Sequence, residues 1–175
     1  MRTASPTKRV SSRRAADEAF MLRAIGIARS ALEKPGTSPI GCVIVLDGEI
    51  VATAHNEVGM HCDPTAHAEI VAIRRAGARL KSPDMRGAIL YTTLQPCGMC
   101  TMASIWAGVS RIVFGAGRND VHQMYFEDRH LDSVDFIADA FRDDLTILGG
   151  VLSDRCAKLY HKPGEHVPKS EQANI

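Results

Sequence analysis

Two short stretches hold the side chains that this sequence spaces for chemistry. In Asp63-Pro64-Thr65-Ala66-His67-Ala68-Glu69 an imidazole stands two residues before a carboxylate, and about thirty residues later comes Pro96-Cys97-Gly98-Met99-Cys100. Cys97 and Cys100 are three apart, so on one helical turn both thiols face the same way. Pro96 suits a helix start, where the positive end of the helix dipole favours the deprotonated sulfurs a metal needs. His67 is expected to add a third ligand from the start of another helix. Two thiolates and an imidazole select zinc over hard cations, and three protein ligands leave one position open for water. Zinc lowers the pKa of such a water to about 7. Glu69, close by without being a ligand, is placed to carry its proton, a role that typically contributes about 10²–10⁴-fold.

Two further groups belong with this set. The backbone N–H of Ala68, at the same helix start, can bind an oxygen or nitrogen of a substrate ring. Asn56, just past a strand, can donate and accept toward the polar edge of a base. The remaining cysteines read otherwise: Cys42 as core, Cys62 as a bystander to a complete ligand set, Cys156 as packing on a last helix. His55, His61 and His122 read as surface or packing residues. Five cysteines is an odd number, and a Cys-x-x-Cys without a secretory signal points to metal or redox chemistry rather than a disulfide framework.

Elements must carry these residues. Phe20, Ala24, Ala28, Ala31 and Leu32 recur at helical spacing after Ala15, and Lys34-Pro35-Gly36 stops them. Residues 39–46 and 49–54 are apolar, β-branched runs around Asp47-Gly48, the pattern of a β-hairpin. A helix is expected over 65–80, with Asp63 as N-cap and Pro64 at its first position. A strand at 87–94, a helix at 97–107, strands at 110–115 and 145–148, and a helix at 151–160 follow. Strands joined through helices imply a largely parallel sheet covered on both faces, with the hairpin adding an antiparallel pair. Sites in such folds gather where strands end and helices begin. Both reactive stretches lie at such points.

Length and composition set the bounds. The chain has 175 residues, enough for one domain with a full core, and we expect it at 15–162. Residues 1–14 carry Arg2, Lys8, Arg9, Arg13 and Arg14 without an acid and read as a disordered basic tail; residues 163–175 read as a polar, mobile tail. No apolar run approaches the ~20 residues that span a bilayer, and no apolar segment follows the basic start, so a cytoplasmic protein is expected. The net charge of +1 argues neither for nor against a polyanionic partner.

With these residues in view, the sequence resembles the cytidine deaminase-like superfamily, whose signature is His-x-Glu followed by Pro-Cys-x-x-Cys. The resemblance runs over about residues 15–148 and is strongest at Asp63-Pro-Thr-Ala-His-Ala-Glu-Ile, Thr93-Leu-Gln-Pro-Cys-Gly-Met-Cys and Arg111-Ile-Val-Phe-Gly-Ala. It implies an α/β fold, a three-layer α/β/α sandwich with a five-stranded mixed, mostly parallel sheet, usually assembled as a homodimer. It implies one Zn²⁺ per chain on His67, Cys97 and Cys100, Glu69 as proton shuttle, and Asn56 as base contact. The implied reaction is zinc-dependent hydrolytic deamination of an amidine-like carbon, with release of ammonia.

Within the purine-acting branch, two families are similar to this chain: bacterial guanine deaminases and tRNA-specific adenosine deaminases. The tRNA enzymes carry Glu before the Pro-Cys, a Gly-Ala pair after the second Cys, and Lys-x-Gly after Phe-Gly-Ala. Here Gln95, Thr101-Met102-Ala103-Ser104 and Asn119-Asp120-Val121-His122 stand instead. Ile105-Trp106-Ala107 and Phe126-Glu127-Asp128 resemble guanine deaminases, and by that resemblance Asp128 is a second acid that contacts the ring and assists proton transfer. From Glu127 to Asp144 there are seven acids against Arg129 and Arg142. That balance suits a small neutral base better than phosphates, whose binding draws on Lys and Arg. The expected substrate is therefore a free nucleobase, guanine first, with xanthine as product. A tRNA adenosine-to-inosine enzyme is the alternative, as is a deaminase of cytosine or another amino-substituted heterocycle. A non-catalytic zinc-stabilised partner subunit is disfavoured because Glu69 is intact.

Overall fold

A computed structural model describes residues 6–126, 132–140 and 142–168, with side chains from Val10 onward. Its element order is α1 (Pro6–Ala31), β1 (Ser38–Leu46), β2 (Glu49–Asn56), α2 (Val58–His61), α3 (Ala68–Leu80), β3 (Ile89–Leu94), α4 (Gly98–Trp106), β4 (Arg111–Ala116), a 3₁₀ turn (Gln123–Tyr125), α5 (Ser133–Ala138), β5 (Thr146–Leu148) and α6 (Ser153–Ala157).

The strands form one five-stranded sheet in the order β2-β1-β3-β4-β5. β1 is antiparallel to both β2 and β3, while β3, β4 and β5 are mutually parallel. β2, β3, β4 and β5 therefore run one way and β1 runs against them. The hairpin turn is Asp47-Gly48, both at positive φ (51° and 81°), the backbone that a two-residue turn between twisted strands demands.

Strand alternation sorts the two faces. Tyr91 faces α1, stacking with Phe20 and donating its hydroxyl to Asp17 at 2.9 Å. Its neighbour Thr92 faces α3, and Thr93 faces the C-terminal end, with its Oγ1 2.6 Å from the Tyr160 hydroxyl. So α1 and α6 cover one face and α3, with α4 beside it, covers the other. Val43, Ile44, Leu90, Ile112 and Val113 are fully buried between the layers. Each such side chain is worth about 1.5–3 kcal/mol of transfer free energy. Gly41 lets α1 lie directly on β1, since any side chain there would collide with the Ala24 carbonyl. Arg111 and Asp17 form a buried two-pronged ion pair, both contacts 2.7 Å, that ties α1 to β4.

Several sequence expectations shift. The first helix begins at Pro6 instead of Ala15, so residues 6–14 extend a helix and do not form a disordered tail. Proline fits a helix start, and Lys8, Arg9, Arg13 and Arg14 are good helix formers whatever their charge. Residues 1–5 lie outside the described chain. Leu32, read as part of the buried stripe, is exposed, and Met21 and Ile25 take that role. At the other end, Val167 is buried while residues 163–166 and 168 are exposed, so the polar tail is anchored at one side chain. The helix expected over 65–80 starts at Ala68. Asp63 does not cap it; its Oδ1 accepts from the Thr65 N–H (2.8 Å) and hydroxyl (2.7 Å), closing a side-chain turn before the helix.

Candidate active site

β2 and β3 point the same way, and each ends where a reactive stretch begins. The N–H of Glu57 donates to the Ala66 carbonyl at 2.9 Å, drawing the end of β2 beside the loop that precedes His67. His67 is the N-cap of α3 and Cys97 the N-cap of α4, both with extended backbone. Neither side chain caps its helix. They turn toward each other: His67 Nδ1 lies 3.7 Å from Cys97 Sγ and 3.7 Å from Cys100 Sγ. The three donor atoms all lie within 4.8 Å of one another. Tetrahedral bonds of ~2.3 Å to sulfur and ~2.0–2.1 Å to nitrogen would put such N and S atoms about 3.6 Å apart. The cluster thus fits a single zinc ion in both donor type and spacing.

The sulfurs are prepared for it. A hydrogen bond from Cys100, helped by His67, brings the Cys97 thiol down to about 4 against the opposing effect of burial. The shared proton and burial push Cys100 well up. The two thiols are thus shifted in opposite directions, Cys97 being the readier thiolate.

Glu69, one residue into α3, is buried. Its Oε1 accepts from Thr92 Oγ1 at 2.8 Å, and its Oε2 lies 3.5 Å from Cys100 Sγ. Burial, then the negative charge of Cys97, raises its pKa above the ordinary carboxylate value. A carboxyl whose pKa is raised holds a proton more readily than an exposed one, which suits a group that takes and returns a proton.

Asn56, the last residue of β2, is 1% exposed. Its Oδ1 accepts from the Val58 N–H at 3.2 Å, while its Nδ2 is buried with no hydrogen-bond partner. An unpaired buried amide donor costs about 1–3 kcal/mol. Ala68 is fully buried at the first position of α3, where backbone N–H groups have no partner within the helix.

The structure therefore brings His67, Cys97, Cys100 and Glu69 into direct contact and places Ala68 and Asn56 at the same end of the sheet. Asp128 lies outside the described residues. Phe126, two residues before it, is stacked by Arg118, whose guanidinium carbon is 4.6 Å from the ring centre. The three other histidines near the site have structural partners. His55 bridges Lys34 Nζ and the Asn56 carbonyl, each at 3.1 Å. His61 bonds Glu57 at 3.1 Å, and His122 accepts from the Met124 N–H at 3.1 Å. Cys42 is buried core, its thiol pushed up by burial and then by Glu69. Two roles escaped the sequence reading: that of Thr92, which holds Glu69, and that of Gln95, whose side chain bonds Arg118, Asp132 and Ser133. Strand parity offered a signal for the first, since Thr92 falls on the α3 side of β3.

Over residues 14–116 the chain matches the family described as the cytidine and deoxycytidylate deaminase zinc-binding region. The chain belongs to that family. The matched span holds the three metal-ligand candidates and Glu69 of this chain. It is 43% identical over 99 residues to the tRNA-specific adenosine deaminase of Aquifex aeolicus, covering 57% of this chain and 65% of the relative. It is 39% identical over 111 residues to the guanine deaminase of Bacillus subtilis, covering 63% of this chain and 71% of the relative. Among solved structures, the guanine deaminase of Nitrosomonas europaea superposes with a TM-score of 0.71 at 25% identity, covering 91% of this chain and 84% of that one. Relatives of both kinds are about equally close, and the three-layer deaminase fold is common to them. Among the described residues no helix is long and apolar enough to cross a membrane.

Proposed function

We propose that this deaminase acts on a free nucleobase, guanine foremost, releasing ammonia and xanthine. The observation that carries the reading is the buried, unpartnered Nδ2 of Asn56 at the same end of the sheet as the His67–Cys97–Cys100 cluster and the buried Glu69. A donor kept dry without a partner is stabilised by a ligand that accepts from it. The edge of a flat heterocycle offers such an acceptor. His67, Cys97 and Cys100 would hold zinc, which supplies a hydroxide nucleophile near neutral pH.

In this scheme Asn56 grips the base edge and the Ala68 N–H receives a ring heteroatom. Glu69, steadied by Thr92, takes the proton of the attacking water and passes it to the ring nitrogen beside the reacting carbon. The C–O bond forms; Glu69 then takes the remaining proton of the added hydroxyl and delivers it to the departing amine, so that the hydroxyl becomes the carbonyl, the C–N bond breaks, and ammonia leaves. Asp128 is assigned as the second acid on the ring. The preference for a free base is supported by the acidic run from Glu127 to Asp144 and by Ile105-Trp106-Ala107. Met99 and Trp106 are exposed on α4, with Met102 between them on the same helical stripe; Trp106 is 80% exposed. This stripe supports a homodimer through α4.

The second reading, a tRNA adenosine deaminase, is supported by the 43% identity to the Aquifex enzyme. An ammonia-release panel on zinc-loaded protein separates the two. It should include guanine, cytosine, adenine, cytidine and an anticodon stem-loop. Turnover of guanine is expected, and turnover of the stem-loop alone would reverse the ranking. Glu69→Gln should keep zinc and fold but lose about 10²–10⁴-fold in kcat. Asp128→Ala should slow guanine turnover, and unchanged kinetics would remove its role.

A further inference from the structure

The peptide between Asn56 and Glu57 joins Asn56 to the metal loop. Its N–H donates to the Ala66 carbonyl at 2.9 Å, and Ala66 immediately precedes His67. On its other edge, the Asn56 carbonyl accepts from His55 Nδ1 at 3.1 Å. The strand ladder gives this peptide irregular support. Ser38 pairs with Asn56 and Gly41 with His55, so Pro39 and Ile40 stand between consecutive partners on β1, and proline has no N–H to offer. His55 adds a side-chain bond where the pairing loses register. It is 7% exposed, and Lys34 Nζ lies 3.1 Å from its Nε2. The loop that carries Lys34 is itself seated on α2. Gly36, at φ +72°, lies so near Gly59 that a Cβ there would come within 2.9 Å of the Gly59 carbonyl carbon.

These contacts admit one state of the ring. An ammonium has three donors and no acceptor, so Nε2 accepts from Lys34, and the proton sits on Nδ1, aimed at the Asn56 carbonyl. The Glu57 carboxylate is the other acceptor in reach of that proton, but its Oε1 is 3.8 Å from Nδ1 and already accepts from Arg75 at 2.7 Å. Its Oε2 lies 3.1 Å from His61 Nε2. We propose that His55, fixed in the Nδ1–H form by Lys34, is a positioning residue. It sets the Asn56–Glu57 peptide, and through it the approach of the Asn56 amide to the substrate. The proposal rests on the reading above, in which Nδ2 of Asn56 grips the base. The ring meets Lys34 just beyond α1, so it works from the α1 side of β2, while strand alternation puts the Asn56 side chain on the other side. His55 therefore governs how well substrate is held, and takes no part in the proton transfers.

The two ring nitrogens can be replaced one at a time. An asparagine amide puts its nitrogen near the place of Nδ1, and a glutamine oxygen reaches the place of Nε2. His55→Asn thus keeps the donor to the Asn56 carbonyl and gives up Lys34, whereas His55→Gln keeps Lys34 and gives up the carbonyl. Zinc content, kcat and KM are measured on the full-length zinc-loaded chain with the panel substrate that the wild type turns over. His55→Gln is expected to stay zinc-replete, to lose less than about threefold in kcat and to raise KM about tenfold, the size of one hydrogen bond taken from a buried carbonyl. His55→Asn should bring KM back to within about threefold of wild type. In an Asn56→Ala background His55→Gln should cost little more, because the residue it acts through is gone. Nitrogen-15 spectra of the wild-type imidazole should show a proton on Nδ1 and none on Nε2. A proton on Nε2, an unchanged KM in His55→Gln, or equal harm from the two single variants would each overturn the proposal. So would losses that add to those of Asn56→Ala, or zinc lost in step with kcat. If the wild type turns over nothing in the panel, the functional reading fails on its own. The imidazole spectra and hydrogen exchange at the Glu57 amide, expected to be faster in His55→Gln than in His55→Asn, then decide whether the ring holds the peptide.

Discussion

Asn56 offers the sharpest test of how the site uses its polar groups, because its two side-chain atoms have separable jobs. Oδ1 holds the Val58 N–H at 3.2 Å, and Nδ2 is the buried donor without a partner. Asn56→Asp keeps shape and acceptor but removes the donor; Asn56→Ala removes both. If the substrate accepts from Nδ2, each variant forfeits that hydrogen bond. In addition, the carboxylate presents an acceptor to an acceptor. A loss of about 1.5–3 kcal/mol in transition-state binding corresponds to roughly a ten- to 150-fold fall in kcat/KM. Only Asn56→Ala also gives up the Val58 contact, worth about 0.5–1.5 kcal/mol of stability. The assay is continuous ammonia release on the substrate the wild type prefers, run on the alkaline side so that the introduced carboxyl stays ionised and cannot donate. Metal analysis and urea denaturation accompany it. The two variants should both be slow and zinc-replete, the alanine form destabilised by loss of the Val58 contact and the aspartate form by burial of a charge. A near-wild-type aspartate variant beside an inactive alanine variant would show that Oδ1, not Nδ2, matters, and would refute a substrate role for the unpaired donor.

Thr92→Val should cost about tenfold in kcat with zinc content unchanged, since it removes only the 2.8 Å hydrogen bond to Glu69; kinetics paired with metal analysis checks this. Stripping zinc with a chelator should abolish turnover and leave Cys97, with its thiol at about 4, as the first of the pair to be alkylated at neutral pH; peptide mapping reads the order. Burial pushes the Glu57 carboxyl up, but Arg75 at 2.7 Å, His61 and His55 outweigh it and hold the group below its ordinary range. Its folded value being depressed, it contributes stability above the unfolded carboxylate range that is lost as pH falls through the folded value. Urea midpoints measured at successively lower pH should therefore decline less steeply for Glu57→Gln than for wild type.

The reactive core of the site was legible in the chain because its information is local. The ligand spacing within Cys97-Gly98-Met99-Cys100 and the pairing of His67 with Glu69 depend on one helical turn each. The hairpin was equally local, written in Asp47-Gly48. What escaped was information held between distant segments. Strand parity puts Thr92 on the α3 side but does not name Glu69 as its partner, and nothing near Gln95 announces its bond to Asp132, because those contacts exist only once β3 lies beside α3 and α5. The helical N-terminus was missed for a different reason: clustered positive charge was weighed above the helix propensity of the same residues. α5 and the 3₁₀ turn were missed because their polar composition carries little periodicity, and Asp132 declares itself a cap only through its bond to Val134.

The two helices that frame the site begin on His67 and Cys97, and neither has a side chain that closes its first turn. A serine or aspartate at such a position would commonly add about 1 kcal/mol to each helix. This chain forgoes that local gain at both positions and leaves the two helix starts to be completed by an ion. By linkage, whatever binds only the folded form deepens its stability in step with free concentration. Zinc is then a structural reagent for this fold as well as a chemical one. The population of intact molecules should track metal supply, and the first backbone to loosen under scarcity should be the opening turns of α3 and α4.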